Sequence, residues 1–439
     1  MAPEPSIHPA SVHGPDNIMT QRWKIFASLA LLFIVGFFYR ISMAVVSRDL
    51  VADLGLGAAQ LGILSGIFFY AFALAQIPLG PLIDRHGGRR MISALGIVTT
   101  CGSLVFALAP DYPAALAGRA LLGVGTACVL MGSLKIFTNW FSPQEFPKVS
   151  GFMIAAGNLG SLAATAPLAY AIGLFAWRPT FLAMTLLQAL ATLCVFLFVR
   201  DLPDSGEQPL ALPPRDTGGE HATLPQIWKA LLFSTDFWLI ALIAFFWYAN
   251  YMVMLALWGG PYLMEAAGMT RLQSGNMLLC TSVGYIGGSL LVGKAIDRLG
   301  GSLEKTILCG QALLLVLMTA MLGPATHFPT PALAALFFFV GLFSGTGVII
   351  YPLARRLVPF QFAATAMTGV NFFLLMGAAV MQHIMGLVIC SFPRGPGGYP
   401  AGAYHEAFRF PVCGLGITLA LFALRKTVNG FDAGQGRGR

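Results

Sequence analysis

Two arginines lie inside long apolar segments of this chain, where a charged side chain is costly and is therefore functional by default. Arg40 and Arg119 are the only lysines or arginines deep within these segments, and no aspartate or glutamate lies deep in any of them. A guanidinium without a nearby carboxylate is suited to hold an anion through two parallel N–H···O bonds. The pair therefore predicts a binding site for a small anion.

Each of the two arginines also has a structural interpretation. Arg119 could bond to the backbone of the first helix as a scaffold residue, and Arg40 could extend to the outer lipid headgroups beside Tyr39. Counted along ideal helices, Arg40 and Arg119 lie ~10 Å and ~8 Å from the outer membrane boundary. A shared pocket therefore requires both side chains to face the interior of the helix bundle.

Uncharged polar side chains in other apolar segments extend the candidate substrate site. They are Asn158, Tyr248, Asn250, Tyr251 and Asn371. Asn158 is flanked by small residues, which also predict close helix packing. No nucleophile–base set and no metal-ligand spacing occurs, and the 7 cysteines are scattered without a Cys-x-x-Cys pair. The sequence therefore predicts neither an enzyme nor a metal site, and it indicates no cofactor.

The composition requires that these residues be positioned in a lipid environment. Of the 439 residues, 57% are hydrophobic and 10% are charged, against roughly 25% charged in a soluble domain. A membrane-spanning helix needs ~20 mainly apolar residues. Twelve such runs occur, roughly at 24–47, 57–80, 91–109, 114–136, 149–172, 179–199, 236–260, 273–296, 305–323, 332–354, 363–389 and 408–424. Because the runs are continuous rather than alternating, they predict helices and not β-strands.

The net charge of +8 reflects membrane topology. With the N-terminus taken as cytoplasmic, nineteen of the 26 Lys and Arg residues fall in cytoplasmic segments. Five fall outside: Arg48, Arg178, Arg271, Arg394 and Arg409. This bias matches the positive-inside rule, so both termini are predicted to be cytoplasmic and nucleic acid is not a predicted partner.

Hydropathy and a polar, proline-rich interruption divide the chain into two halves. The predicted domains are a disordered cytoplasmic leader (1–22), an N-terminal six-helix bundle (23–200), a cytoplasmic linker (201–234), a C-terminal six-helix bundle (235–427) and a cytoplasmic tail (428–439). Residues 80–88 recur as 293–301, with Gly, Asp-Arg and Gly at matching positions. A charged turn repeated at this spacing indicates that one bundle is a duplicate of the other.

The first copy of this turn, residues 80–90, resembles the loop between the second and third helices of the major facilitator superfamily. Residues 119–127 resemble the motif of that family at the start of the fourth helix. The resemblance covers residues 22–426. It implies an all-α polytopic membrane protein with twelve transmembrane helices in two six-helix bundles, related by a pseudo-two-fold axis. It also implies that helices one, four, seven and ten line a central cavity.

The resemblance assigns gating roles to the repeated turn. The residues concerned are Gly80, Asp84, Arg85, Gly87, Arg89, Asp297 and Arg298. In the family, the Asp and Arg of the first copy latch the cytoplasmic side of the outward-open state. For Asp84 and Arg85 this implies a contact near Gln361. The alternative is a topology signal with a tight turn and no gating, which suits Arg89.

These observations favour a secondary active or facilitative transporter that moves a small, anionic solute by alternating access. We expect a monomer in a bacterial inner membrane, or a membrane derived from it, with a proton as a candidate co-substrate. Residues 258–263 and 134–141 resemble a bacterial subgroup that includes magnetosome-associated iron carriers, so transport of iron or an iron chelate is one alternative. A non-transporting membrane sensor or assembly scaffold is the other.

Overall fold

The computed structural model describes residues 15–142, 144–203, 231–358 and 363–429, and these residues are almost entirely helical. Eleven of the described helices are long and apolar enough to cross a membrane, and one bent helix pair makes a twelfth span. The spans are α1 (Thr20–Ile41), α2 (Ala58–Ile83), α3 (Gly88–Ala107), α4 (Tyr112–Trp140), α5 (Lys148–Ala163 with Ala166–Phe175), α6 (Trp177–Phe198), α7 (Thr235–Ala266), α8 (Arg271–Arg298), α9 (Leu303–Leu322), α10 (Thr330–Arg355), α11 (Thr365–Cys390) and α12 (Ala401–Lys426). Each predicted apolar run corresponds to one of them, which confirms the predicted fold class.

Several spans begin where the sequence carries a residue able to cap a helix. Asp111 accepts a 2.9 Å hydrogen bond from the backbone N–H of Ala114 at the start of α4. At the start of α8, Thr270 and Gln273 each accept from the backbone N–H of the other. Such side chains satisfy N–H groups that have no partner within the helix. Capping therefore determines the residues at which α4 and α8 begin.

The helical segment that contains the first span extends past the predicted run 24–47 at both ends. Its helix starts at Pro15, inside the predicted leader 1–22, because proline is well suited to the first helical position. After a turn at Ser42 the chain continues as the helix Met43–Leu54, here called the α1 extension, and so passes the predicted end at residue 47. Residues 1–14 of the leader, 204–230 of the linker and 430–439 of the tail lie outside the described residues.

Two spans are irregular in the middle. The two parts of α5 meet at an angle of 42°, next to Pro167, which has no N–H to continue the helical hydrogen bonding. In α7, residues 253–258 and 262–266 form π-helical turns, a feature that is frequent at functional sites. In the most apolar 18-residue stretch of α7, 83% of the residues are buried, so this span lies at the centre of the molecule.

Close packing within each half depends on glycine. Gly160 of α5 lies against the backbone carbonyl of Ile34 in α1, and Gly284 of α8 lies against that of Phe338 in α10. A Cβ atom at either glycine would collide with backbone, so these helices could not approach as closely with any other residue. The close packing predicted from the small residues of α5 is present.

The two halves, α1–α6 and α7–α12, meet tightly on one face. We call the face that carries the α1–α2, α7–α8 and α11–α12 turns the outer face, and the opposite face the inner face, following the charge-based prediction. At the outer face, α2 crosses α11 so closely that a Cβ atom on Gly62 would lie 2.6 Å from the carbonyl oxygen of Gln382. A Cβ atom on Gly386 would lie 2.6 Å from the carbonyl oxygen of Ala58.

Polar contacts join the halves at the same face. Arg271 Nη2, at the start of α8, lies 2.6 Å from Asp49 Oδ1 of the α1 extension. The backbone N–H of Ala58 donates to Tyr399 Oη in the α11–α12 turn at 3.3 Å. Tyr399 is itself fixed because its backbone N–H donates to Glu265 Oε2 at 2.8 Å. The outer face is therefore closed by both packing and hydrogen bonds.

Candidate functional site

Arg40 extends from α1 to the boundary between the two halves. Its Nη1 lies 3.5 Å from Tyr248 Oη of α7, to which it donates a long hydrogen bond. Its guanidinium carbon lies 4.5 Å from the ring centre of Phe37 and 4.7 Å from that of Phe72, which are cation–π distances. Arg40 is half-buried, and it pairs with no carboxylate among the described side chains. The site thus holds a positive charge that the described protein groups do not balance.

A cluster of four tyrosines of the C-terminal half lies beside this charge. Tyr248 and Tyr251 come from α7, Tyr285 from α8 and Tyr351 from α10. The rings of Tyr251 and Tyr285 are stacked, with centres 4.6 Å apart and an angle of 15°, and the ring centre of Tyr248 lies 6.2 Å from that of Tyr251. Arg40 lies within electrostatic range of the hydroxyls of Tyr285 and Tyr351. The side chains of α1, α7, α8 and α10 therefore converge on one space.

A chain of hydrogen bonds closes this space on the side of α2 and α11. Tyr351 Oη donates to Asn371 Oδ1 at 2.8 Å, and Asn371 Nδ2 donates to Gln76 Oε1, also at 2.8 Å. Gln76 lies in the N-terminal half, ~27 Å along α2 from Ala58. Within the described part of the chain, no hydrogen bond or ion pair joins the halves nearer to the inner face than this one.

Arg119 does not share the surroundings of Arg40. Its side chain is only 1% exposed. Nη1 donates to the carbonyl oxygen of Tyr39 at 2.7 Å and Nε donates to that of Leu64 at 3.3 Å, while the guanidinium lies 4.8 Å from the ring centre of Phe68. These contacts tie α4 to α1 and α2 within one half. They match the scaffold interpretation of Arg119 rather than its predicted place in a two-arginine pocket.

The predicted asparagines fall into two groups. Asn371 belongs to the hydrogen-bond chain beside the tyrosines. Asn250 is fully buried and donates to the carbonyl oxygens of Phe246 and Pro411, both at 2.8 Å, so it ties α7 to α12. Asn158 donates at 3.3 Å to a carbonyl one turn earlier in its own helix. The structure thus brings Arg40, Tyr248, Tyr251 and Asn371 together, and it places Arg119, Asn158 and Asn250 elsewhere.

Five residues of the site were not selected by the sequence analysis. They are Phe37, Phe72, Gln76, Tyr285 and Tyr351. A usable signal existed for one of the two tyrosines, since tyrosine in membrane helices is concentrated at the water interface. Tyr285 lies in the middle of the run 273–296, far from that interface, whereas Tyr351 lies near the end of the run 332–354. The phenylalanines carried no signal, because most of the 34 Phe residues pack against helices or lipid.

The first copy of the repeated turn is attached to its own half. The backbone N–H of Arg89 donates to Asp201 Oδ1 at 2.9 Å, and its Nη2 donates to the carbonyl oxygen of Phe196 at 2.7 Å. Gly87 has φ +85°, a conformation that favours glycine. A Cβ atom at this position would lie 2.6 Å from the carboxylate oxygen Oδ2 of Asp201. Arg89 therefore holds the α2–α3 turn against the end of α6, as the tight-turn interpretation predicts.

The remaining gating residues stay predictions. Gly80 has open space around it, and Arg85, Asp297 and Arg298 are exposed at the inner face. The side chain of Asp84 and residue Gln361 lie outside the described part of the structure. The latch between them is therefore neither supported nor opposed by the contacts above.

No group of three or more His, Cys, Asp or Glu side chains that could hold a metal ion occurs among the residues that the structure describes. The iron-carrier interpretation thus gains no binding group from these residues. The site described above offers a cation, aromatic rings and hydroxyls instead.

Comparison with known proteins gives concordant results. The family model of the Major Facilitator Superfamily matches residues 28–426. The chain is 26% identical over 292 residues to the probable sulfoacetate transporter SauU of Cupriavidus necator, and 24% identical over 297 residues to the probable L-galactonate transporter of Escherichia coli. Each of these alignments covers 65% of this chain and 65% of the relative.

The fold is similar to that of a solved transporter. A bacterial homologue of the human lysosomal transporter Spinster, in an inward-facing and unoccupied conformation, superposes with a TM-score of 0.75. The match covers 93% of this chain and 97% of that structure, at 18% identity. Because the family model matches almost the whole chain and the helices form the corresponding fold, the chain belongs to the Major Facilitator Superfamily.

Proposed function

We propose that this protein is a secondary transporter that moves a small organic anion across a membrane by alternating access, and that Arg40 binds the anion. The observation that carries this proposal is the unbalanced, half-buried charge of Arg40 at the boundary between the halves. The named relatives support an anion, since sulfoacetate and galactonate are both organic anions. The region of similarity is limited to about two-thirds of each relative, so the identity of the solute does not follow from it.

The energy available at Arg40 is sufficient for selective binding. A hydrogen bond to a charged group contributes about 1.5–3 kcal/mol. A carboxylate held by two such bonds would gain roughly 3–6 kcal/mol, which corresponds to a preference of about 10²–10⁴ over an uncharged analogue. The guanidinium is already oriented between Phe37 and Phe72, so little of this energy is lost in ordering it.

The arrangement of the halves fits one step of a transport cycle. The outer face is closed, and among the described residues the hydrogen bond between the halves that lies nearest to the inner face joins Gln76 to Asn371. This fits a state whose outer face is closed, so that solute would reach Arg40 from the inner face. Opening the outer face requires that the contacts of Asp49 with Arg271 and of Ala58 with Tyr399 break.

The predicted setting is retained as part of the proposal. Residues 23–200 and 235–427 would be the two rocking bundles of a monomer. The inner face, with both termini, would lie in the cytoplasm of a bacterium. A proton remains a candidate co-substrate. No described feature favours the iron-carrier or scaffold alternatives, and neither is proposed.

The proposal is tested by uptake into vesicles containing the purified full-length protein. The panel consists of labelled organic anions, including sulfoacetate and galactonate, together with neutral and cationic solutes, each with and without a pH gradient. We expect uptake of at least one anion by the unmodified protein and its loss in Arg40→Ala. Arg409→Ala, which removes an exposed arginine on α12, is the matched control and should keep full uptake.

Two results would contradict the proposal. One is undiminished anion uptake by Arg40→Ala that is folded and present at the normal level. The other is uptake restricted to neutral or cationic solutes. The pH-gradient arm decides separately whether a proton moves with the solute.

A further inference from the structure

We infer that the solute is an aromatic monocarboxylate, rather than a sugar acid or a dicarboxylate. This inference rests on the proposed function, because it concerns the same Arg40 site. It is carried by the combination of one free cation, a wall of aromatic rings and a set of polar groups that are already bonded to one another.

The charge at the site matches a single negative charge. Of the two arginines deep inside the apolar spans, Arg40 bonds to Tyr248 of the other half, whereas the guanidinium of Arg119 is enclosed and bonded to the carbonyls of Tyr39 and Leu64. A solute with two carboxylates would bring one charge that no described cation at the site balances. Burying such a charge is unfavourable, so the site favours a monoanion.

The walls of the site suit a flat ring. Phe37 and Phe72 cover the guanidinium at 4.5 Å and 4.7 Å, so a carboxylate held by Arg40 would have its organic part next to aromatic carbon. Tyr251 and Tyr285 form a stacked pair with ring centres 4.6 Å apart, and Tyr248 lies beside it. Such a surface can extend its stacking to a third ring, which adds to the contact area that an apolar solute buries.

The polar groups of the site leave little for a sugar acid. Gln76, Asn371 and Tyr351 are joined in one hydrogen-bond chain, and Tyr248 accepts from Arg40. A sugar acid carries several hydroxyls, each of which needs a partner once water is removed. Such an acid would need more partners than the few unengaged groups of the site, such as the Tyr251 and Tyr285 hydroxyls, can supply, or it would have to break the site's own bonds.

Two hydroxyls at the site remain available. Within the described structure, neither Tyr251 Oη nor Tyr285 Oη has a hydrogen-bond partner, and both belong to the stacked pair. They can bond to a polar substituent on the solute ring, at the end away from the carboxylate. The preferred solute is therefore a benzoate-like acid, and a ring hydroxyl would strengthen its binding.

The experiment measures displacement of labelled 4-hydroxybenzoate from the full-length protein in vesicles. The competitors are benzoate, galactonate, phthalate and the uncharged benzamide. We expect benzoate to compete at least tenfold better than galactonate, phthalate or benzamide. Tyr285→Phe keeps the ring and should retain benzoate binding while losing the advantage of 4-hydroxybenzoate. Tyr285→Leu should weaken both acids at least tenfold. Tyr170→Phe, at an exposed tyrosine of α5, is the control and should change neither.

The outcomes separate this inference from the function on which it rests. If galactonate or phthalate binds better than benzoate and that binding is lost in Arg40→Ala, the aromatic solute is wrong and anion transport stands. If 4-hydroxybenzoate binds equally to the unmodified protein and to Arg40→Ala, the anion site itself is wrong. Unchanged benzoate binding in Tyr285→Leu would overturn the role of the stacked pair.

Discussion

A valine at Gly386 should open the outer face. Gly386 of α11 lies where that helix crosses α2, and a Cβ atom there would be 2.6 Å from the carbonyl oxygen of Ala58 and 3.2 Å from the Cα atom of Gly62. Both neighbours are backbone atoms, so they cannot yield by rotating a side chain. The two helices must therefore separate to accommodate the new side chain.

The size of the effect follows from where the strain falls. Forcing extra methyl groups into a packed contact costs about 1–3 kcal/mol. In Gly386→Val this cost falls only on the state in which α2 and α11 are in contact, so the equilibrium between closed and open outer faces should shift by about 5- to 150-fold. Gly402→Val is the matched control, because a Cβ atom at Gly402 has no neighbour within 4 Å.

Spin labels report this shift directly. One label replaces Leu108 at the outer end of the N-terminal half and the other replaces Thr330 at the outer end of the C-terminal half, after the 7 native cysteines are removed. We expect a longer distance population to grow in Gly386→Val and to remain minor in Gly402→Val. A distance distribution in Gly386→Val that is identical to that of the parent would refute the argument that this contact closes the outer face.

Two further predictions concern closure of the outer face, and a third concerns the structural role of Arg119. Tyr399→Phe removes the acceptor for the Ala58 N–H, a hydrogen bond worth about 0.5–1.5 kcal/mol. The population with an open outer face, measured with the same pair of spin labels, should rise by less than in Gly386→Val. No increase would contradict the claim that this hydrogen bond helps to close the outer face. Burial raises the pKa of Asp49 in the closed state more than attraction to Arg271 lowers it. The closed state therefore holds the proton of Asp49 more tightly than a state in which this aspartate is exposed. The closed population should grow as the pH falls from the raised pKa of Asp49 toward about 3.9, the pKa of an exposed aspartate. Asp49→Asn should abolish this pH dependence. Arg119→Leu removes two hydrogen bonds from a charged group to the carbonyl oxygens of Tyr39 and Leu64, about 1.5–3 kcal/mol each, so it should lower the unfolding temperature, and an unchanged temperature would contradict the scaffold role.

The fold could be predicted from the sequence because membrane helices leave direct traces in it. Continuous apolar runs, the sorting of Lys and Arg, and the repeated turn at 80–88 and 293–301 together specify twelve spans in two halves. The ends of the spans were less predictable. The α1 extension (Met43–Leu54) is amphipathic in composition and contains Asp49 and Asp53, so hydropathy did not predict that helix continues past residue 47.

The site could be predicted only in part. A charged residue in an apolar run shows how deep in the membrane the residue lies, but not in which direction its side chain points. Arg40 and Arg119 are equivalent by hydropathy and by estimated depth. Their difference arises from rotation about α1 and α4, which directs one guanidinium to the boundary between the halves and the other to the carbonyls of Tyr39 and Leu64. Such rotation depends on packing across several helices. The same limit applies to Tyr285, whose stacking with Tyr251 is visible only once α7 and α8 are placed side by side.

The most direct test of the account compares a charged ligand with its uncharged counterpart at Arg40. The dissociation constants of the most strongly transported acid and of its amide are measured for the unmodified protein and for Arg40→Gln. We predict that the unmodified protein prefers the acid by about 10²–10⁴ and that Arg40→Gln binds the two nearly equally. A preference for the acid that persists undiminished in Arg40→Gln would contradict the central claim that Arg40 is the group that binds the anion.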